Sequence, residues 1–251
     1  MHTAVVTCAD FQPIIWLPWS TCSFNDGLAM FRVALSDGAE LMPRLRGLLE
    51  PAELERATRY RLPDDQLRFG CTRGLLRVLL ARYTNQPPDR IEFVPGVNRK
   101  PELRWPGGWH FNVSHSGNWI LIAIGKVRVG VDLEWVKPDF AFHDLMPSSF
   151  SPAEQQYIDA CANTRQCFYR LWTRKEALVK ATGKGIDDRF GQIPSLTGSH
   201  PTDAQLIGQE GHWTVNSFMV TDNYPAAAAY EGDSVLTPQF YTLDSKLPFG
   251  F

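Results

Sequence analysis

Apolar residues recur at helical spacing over Asp65–Tyr83, through Leu67, Leu75, Leu76, Leu79 and Leu80, and again over Phe168–Thr182, where Phe168, Leu171, Trp172, Leu178 and Val179 form one stripe. These segments predict the two longest helices. Asn85-Gln86-Pro87-Pro88 ends the first, and Gly183-Lys184-Gly185 stops the second. Leu49–Tyr60 predicts a shorter helix entered through Glu50-Pro51. Ser151-Pro152-Ala153-Glu154 reads as an N-cap, a proline at the first helical position and an acid in the first turn. Short runs with strand character lie at Ile14–Leu17, Ile91–Val94, Trp109–Val113, Trp119–Ile124, Val129–Glu134, Trp213–Val220 and Ala226–Tyr230. The turn Gly125-Lys126-Val127-Arg128 is the predicted midpoint. It divides the chain into an N-terminal half, 1–126, and a C-terminal half, 127–251. Mixed strands and helices without regular strand–helix–strand repetition place the fold in the α+β class.

Composition narrows the class without naming a chemistry. The 251 residues are 44% apolar and 21% charged, with a formal net charge of -2. That balance gives no global basic footprint, so nucleic acid is not an expected partner. No apolar run reaches the roughly 20 residues needed to cross a bilayer. The opening MHTAVVTCADFQ lacks a basic region followed by an apolar stretch. A cytoplasmic protein with no membrane partner is the expectation. The cysteines at 8, 22, 71, 161 and 167 are an odd, scattered set with no C-x-x-C pair, which predicts reduced thiols rather than a disulfide or zinc framework.

Three constellations carry candidate chemistry. In Val129-Gly130-Val131-Asp132-Leu133-Glu134, strand alternation puts Asp132 and Glu134 on one face, roughly 7 Å apart, a spacing that a hydrated divalent ion bridges. A solvated acidic strand is the competing reading, and Gly130 beside the acids leaves room for a ligand. In the second helix Glu176 and Lys180 lie one turn apart at the edge of the apolar stripe. Lys175 falls inside that stripe, where a lysine must snorkel out or meet a buried carboxylate. In Phe111-Asn112-Val113-Ser114-His115-Ser116-Gly117 a strand runs into a small polar turn whose backbone N–H groups, hydroxyls and histidine suit a phosphate oxygen. A capped turn with an incidental histidine is the alternative.

Taken together, in this order and spacing, Phe-Asn-Val-Ser-His-Ser-Gly, Val-Gly-Val-Asp-Leu-Glu and Leu-Trp-Thr-Arg-Lys-Glu-Ala-Leu-Val-Lys-Ala-Thr-Gly-Lys-Gly resemble the 4′-phosphopantetheinyl transferase family, of the larger type that activates peptide synthetases. The resemblance covers about residues 48–230. It implies a pseudo-dimer of two similar α+β subdomains with coenzyme A, the substrate, in the cleft between them. It implies transfer of the phosphopantetheine arm to a serine of an apo acyl or peptidyl carrier protein by a monomeric enzyme, with Mg²⁺ as cofactor and Mn²⁺ as its substitute. Asp132, Glu134 and Glu176 would hold the metal. Lys180 would meet the same phosphates, and Ser114 and His115 would bind coenzyme A phosphate groups. Arg99-Lys100-Pro101 would lie along the nucleotide, with Arg56 and Arg68 at its 3′-phosphate and adenine end. Glu154 aligns with an acid near the active site, so Glu154, Glu176 and Lys180 make up the implied catalytic set. The sequence departs from the pattern at Arg99, where the family often has glycine, and at Glu53, which stands at a second basic position.

Two other readings use the same residues. Metal-dependent nucleases also place D-x-E and E-x-x-x-K around a metal, but they want a basic groove. A non-catalytic coenzyme A-binding module would have no need of three acids and Lys180 together.

Overall fold

A computed structural model describes residues 3–11, 14–25, 27–233 and 236–247. In chain order the strands are β1 (Thr3–Asp10), β2 (Trp16–Pro18), β3 (Ala29–Ala34), β4 (Phe93–Pro95), β5 (Pro101–Leu103), β6 (His110–Ser116), β7 (Trp119–Gly125), β8 (Val129–Leu133), β9 (Gly198–Asp203), β10 (Gly211–Thr221), β11 (Tyr224–Glu231) and β12 (Gln239–Leu243). The helices are α1 (Leu35–Leu45), α2 (Pro51–Thr58), α3 (Pro63–Thr84), α4 (Met146–Ser149), α5 (Pro152–Ala160), α6 (Thr164–Thr182) and α7 (Ala204–Ile207). The expected strands and helices are present, and β1, β3, β5, β9, β12, α1, α4 and α7 add to them.

The chain forms two α+β units of similar plan, each a five-stranded sheet with one long helix laid across it. One unit gathers the chain up to Ile14, Gly96–Lys100 and Val127–Leu236; the other gathers Ile15–Pro95, Pro101–Lys126 and the chain from Thr237. A change of unit does fall at Lys126/Val127, the predicted midpoint. The division 1–126 and 127–251 nevertheless needs correcting, because the two ends of the chain are exchanged between the units.

In the first unit the strand order is β8-β11-β10-β1-β9, with β1 parallel to β10 and antiparallel to β9. Helix α6 covers one face. Its Leu178 and Val179 are buried with Val6 of β1, Trp213 and Val215 of β10, and Ala227 and Ala229 of β11. Asn163 caps the start of α6 by accepting a hydrogen bond from the Gln166 N–H, which begins the helix one turn before the apolar stripe. Gly183, at φ +77°, closes it in the left-handed conformation that costs glycine least. Ser151 and Glu154 form the capping box of α5. A disulfide joins Cys161 to Cys167 at the α5–α6 connection, which corrects the expectation that all five thiols are reduced; Cys8, Cys22 and Cys71 are thiols.

In the second unit the order is β2-β12-β3-β7-β6, with β12 parallel to both of its neighbours. Leu75, Leu76 and Leu79 of α3 are buried against Phe31, Ile120, Ile122 and Tyr241 of the sheet, and α1 packs beside α3. No helix among the described residues is long and apolar enough to cross a membrane.

Candidate active site

Strand β8 is an edge strand, yet all five of its residues are buried, because α6 lies against it. Alternation sends Gly130 and Asp132 toward the helix, paired across the ladder with Ala229 and Ala227 of the α6-covered face. The approach at Gly130 is close. A Cβ there would stand 2.2 Å from the Ala177 carbonyl oxygen and 2.3 Å from the Ala181 nitrogen, so only glycine fits. The space beside the acids is thus filled by helix backbone, which corrects the reading that Gly130 leaves room for a ligand.

That contact sets Asp132 against the C-terminal half of α6. Lys180 Nζ donates to Asp132 Oδ1 at 2.6 Å, and Asp132 is only 2% exposed. Glu176, half-buried one turn earlier, has its carboxyl pushed up to about 7 by burial first and by the charge of Asp132 second, against the opposing pull of Lys180. Burial alone would lower the Lys180 ammonium. The carboxylates of Asp132, Glu176 and Glu134, together with the hydrogen bond to Asp132, outweigh it and hold the ammonium above its ordinary range. Glu134 follows the end of β8 and is half-buried. Among the described residues no three His, Cys, Asp or Glu side chains stand close enough to hold a metal as placed. The arrangement is an anionic group of Asp132, Glu134 and Glu176 around one lysine.

The neighbouring face of α6 holds the structure up. Lys175 is fully buried and donates to Glu154 Oε2 at 2.8 Å and to the Gly191 carbonyl at 3.0 Å. It thus has the buried carboxylate partner that its helical phase demands. Glu154 also accepts from the Ser151 N–H, the Ser195 N–H and the Ser195 hydroxyl. With both oxygens engaged and 2% exposure, Glu154 ties α5 to α6 and is not placed to exchange a proton with a substrate, which corrects its place in the catalytic set. Arg174 escaped notice in the sequence. Buried beside Lys175, it donates to Ser217 Oγ, the carbonyls of Ser195 and Ala9, and Asp10 Oδ1. It shares the phase of Leu171 and Leu178, so the argument that singled out Lys175 would have found it.

The other candidates lie in the second unit or in the segment Gly96–Lys100. Ser114 and His115 sit within β6, opposite Leu121 and Ile120, and not in the turn that follows. As consecutive strand residues they face opposite sides; Ser114 is buried and His115 exposed. Both lie on the edge strand of that sheet. Arg68 of α3 donates through Nε to the Gly117 carbonyl just beyond them and pairs with Asp65. Arg56 lies over the Phe69 ring at 5.0 Å. Glu53 pairs with Arg73 and Arg77 and receives the Glu50 N–H, so the acid at the second basic position is part of the α2–α3 packing. Lys100 donates to two backbone carbonyls, of Val129 and Lys180, within the first unit. Pro101 opens β5, and the side chain of Arg99 lies outside the described residues.

Residues 128–229 match the sequence model of the 4′-phosphopantetheinyl transferase superfamily, and residues 40–126 match that of a 4′-phosphopantetheinyl transferase N-terminal region. The chain is 34% identical over 226 residues to a putative 4′-phosphopantetheinyl transferase of Synechocystis, covering 83% of this chain and 90% of that protein. The chain belongs to the 4′-phosphopantetheinyl transferase superfamily. It is also 32% identical over 225 residues to the 4′-phosphopantetheinyl transferase HetI of Nostoc, covering 86% and 94% of the two chains, and 37% identical over 194 residues to one from Bacillus pumilus, covering 72% and 81%. The superfamily match contains Asp132, Glu134, Glu176 and Lys180, while the N-terminal match contains Arg56, Arg68, Lys100, Ser114 and His115.

Proposed function

We propose that this protein transfers the 4′-phosphopantetheine arm of coenzyme A to a serine of an apo acyl or peptidyl carrier protein, with Mg²⁺ held by Asp132, Glu134 and Glu176. The observation that carries the reading is the meeting of Asp132, Glu176 and Lys180 across β8 and α6 in a chain of this superfamily. The donor set fits the metal: three carboxylates offer only hard oxygen ligands, which suit Mg²⁺. Glu176, its carboxyl raised by burial and then by the charge of Asp132, would gain from a divalent charge beside it.

In the reaction the serine oxygen forms a bond to the pantetheine-side phosphorus, and the anhydride bond to that phosphorus breaks, releasing adenosine 3′,5′-bisphosphate. Mg²⁺ would supply charge stabilisation as negative charge builds on the phosphates. Lys180, kept protonated by its carboxylate neighbours, adds a second positive charge where the phosphates lie. The serine must lose a proton, and Glu154 cannot take it. A carboxylate of the acidic group or a water held by the metal would take it. Ser114 and His115 would bind coenzyme A phosphate groups from the β6 edge, with Arg56 and Arg68 toward the nucleotide. The setting we infer is a monomer in the cytoplasm.

The test is incubation with coenzyme A, Mg²⁺ and a panel of apo-carriers, read as the mass gain of the arm. Wild-type protein should convert at least one carrier, and Asp132→Ala or Glu176→Ala should abolish conversion. Near-normal turnover of either variant at saturating Mg²⁺ would remove the metal assignment. Cleavage of plasmid DNA by the wild type would favour the nuclease reading instead.

A further inference from the structure

The segment Gly96–Lys100 belongs to the unit that carries the acids, although the chain on either side of it, including the paired strands β4 and β5, belongs to the other. The segment is internally tied. The Gly96 N–H donates to the Lys100 carbonyl at 2.7 Å, and the Lys100 N–H to the Val97 carbonyl at 3.0 Å. Asn98 takes a left-handed backbone, φ 49° and ψ 32°, which asparagine tolerates better than most residues. From there its Nδ2 donates to the Gly183 carbonyl at 2.6 Å and the Lys184 carbonyl at 2.8 Å. Lys100 Nζ donates to the Lys180 carbonyl at 2.8 Å and the Val129 carbonyl at 3.1 Å.

These four acceptors share a location. A helix leaves its last carbonyls without intrahelical partners, and its C-terminus carries partial negative charge that an ammonium offsets. Lys180 lies in the last turn of α6, and Gly183 and Lys184 follow it. Val129 is on β8, in the same strand as Asp132. The ammonium of Lys100 therefore bridges the strand that supplies Asp132 and the helix that supplies Glu176 and Lys180, while Asn98 fixes the chain leaving that helix. Lys100 is adjacent to none of these residues in sequence.

We propose that Asn98 and Lys100 are positioning residues that clamp the C-terminus of α6 onto β8 and so set the metal-binding carboxylates against each other. This rests on the metal reading above, and it assigns the Lys100 side chain to protein backbone rather than to the nucleotide. Lys100 acts through its bonds to carbonyls of both elements, and Asn98 needs only its two amide hydrogens.

Mn²⁺ serves as the probe, titrated by electron paramagnetic resonance into full-length protein with coenzyme A present, alongside steady-state kinetics. Lys100→Met and Asn98→Asp should each weaken Mn²⁺ binding roughly tenfold, as changes that disorient metal ligands do. Both should lower kcat and leave the KM for coenzyme A unchanged. Asn98→Gly, which keeps the left-handed backbone and deletes only the donors, decides the matter if either variant fails to fold. A raised KM for coenzyme A with wild-type Mn²⁺ affinity and kcat would overturn the clamp and return Lys100 to the nucleotide. Asp132→Asn separates the two layers. If it keeps Mn²⁺ binding, the metal reading falls and the clamp with it; if it loses binding while the clamp variants keep theirs, the clamp alone falls.

Discussion

Lys175 and Lys180 occupy one helix and each meets a buried carboxylate, but with different surroundings. Lys175 and Glu154 are both enclosed, and every polar atom of the pair is engaged. Lys175→Met strands the Glu154 charge, and removing one member of a buried pair costs about 3–5 kcal/mol. Chemical denaturation should show that loss, with turnover per folded molecule retained; Glu154→Gln should move the same way. Lys180 is partly exposed, yet its partner Asp132 is buried, so Lys180→Met does not spare stability as its position at the helix edge implies. It should lower the melting temperature less than Lys175→Met does, while a single-turnover rate falls far more. A stable, inactive Lys175 variant would reverse this assignment. Helical phase sufficed to read which lysine faces inward. It could not identify the partner of either, because Glu154 and Asp132 come from other elements and sequence spacing carries no information about that distance.

At the scale of elements, the site depends on how tightly α6 sits on β8. Gly130→Ala would place a methyl group within 2.2 Å of helix backbone, which has no rotamer to yield. Overpacking typically costs about 1–3 kcal/mol, and a backbone obstacle puts this change at the upper end. Separation of strand and helix should also abolish the Asp132–Lys180 contact. Gly130→Ala is therefore expected to lose Mn²⁺ binding and transfer at temperatures where circular dichroism still reports a folded protein. Full activity in that variant would mean that the close approach is not required. The elements themselves were legible: period-3.6 stripes gave α3 and α6, and the Ser151–Glu154 signature gave α5 with its capping box. The purpose of Gly130 was not. A glycine beside two acids reads equally well as ligand space or helix space, and only the packed helix decides. Ser114 and His115 were misplaced for a related reason, since hairpin pairing with β7 carries β6 through both residues before the turn begins.

At the scale of the whole chain, the termini cross between the units. Strand β1 lies between β10 and β9 in the sheet that carries the acids, and β12 lies between β2 and β3 in the other. Strand β1 alternates in burial along Thr3–Asp10, so its period-2 pattern is present in the sequence, but the pattern says nothing about which sheet it joins. Register and partner come from the fold, which is why a division at 126/127 looks sufficient when read along the chain. A strand inside a sheet satisfies backbone groups on both edges, and its loss exposes two rows of them. Residues 127–251 expressed alone should thus fail to fold, because β10 and β9 would each lose their shared neighbour. Residues 1–126 alone should be destabilised by the missing β12. Amide dispersion in NMR spectra and resistance to proteolysis check both fragments, and adding residues 1–14 back to the C-terminal fragment through a flexible linker should restore its folding. A protease-resistant, well-dispersed 127–251 fragment would show instead that β1 is dispensable to the sheet that positions Asp132.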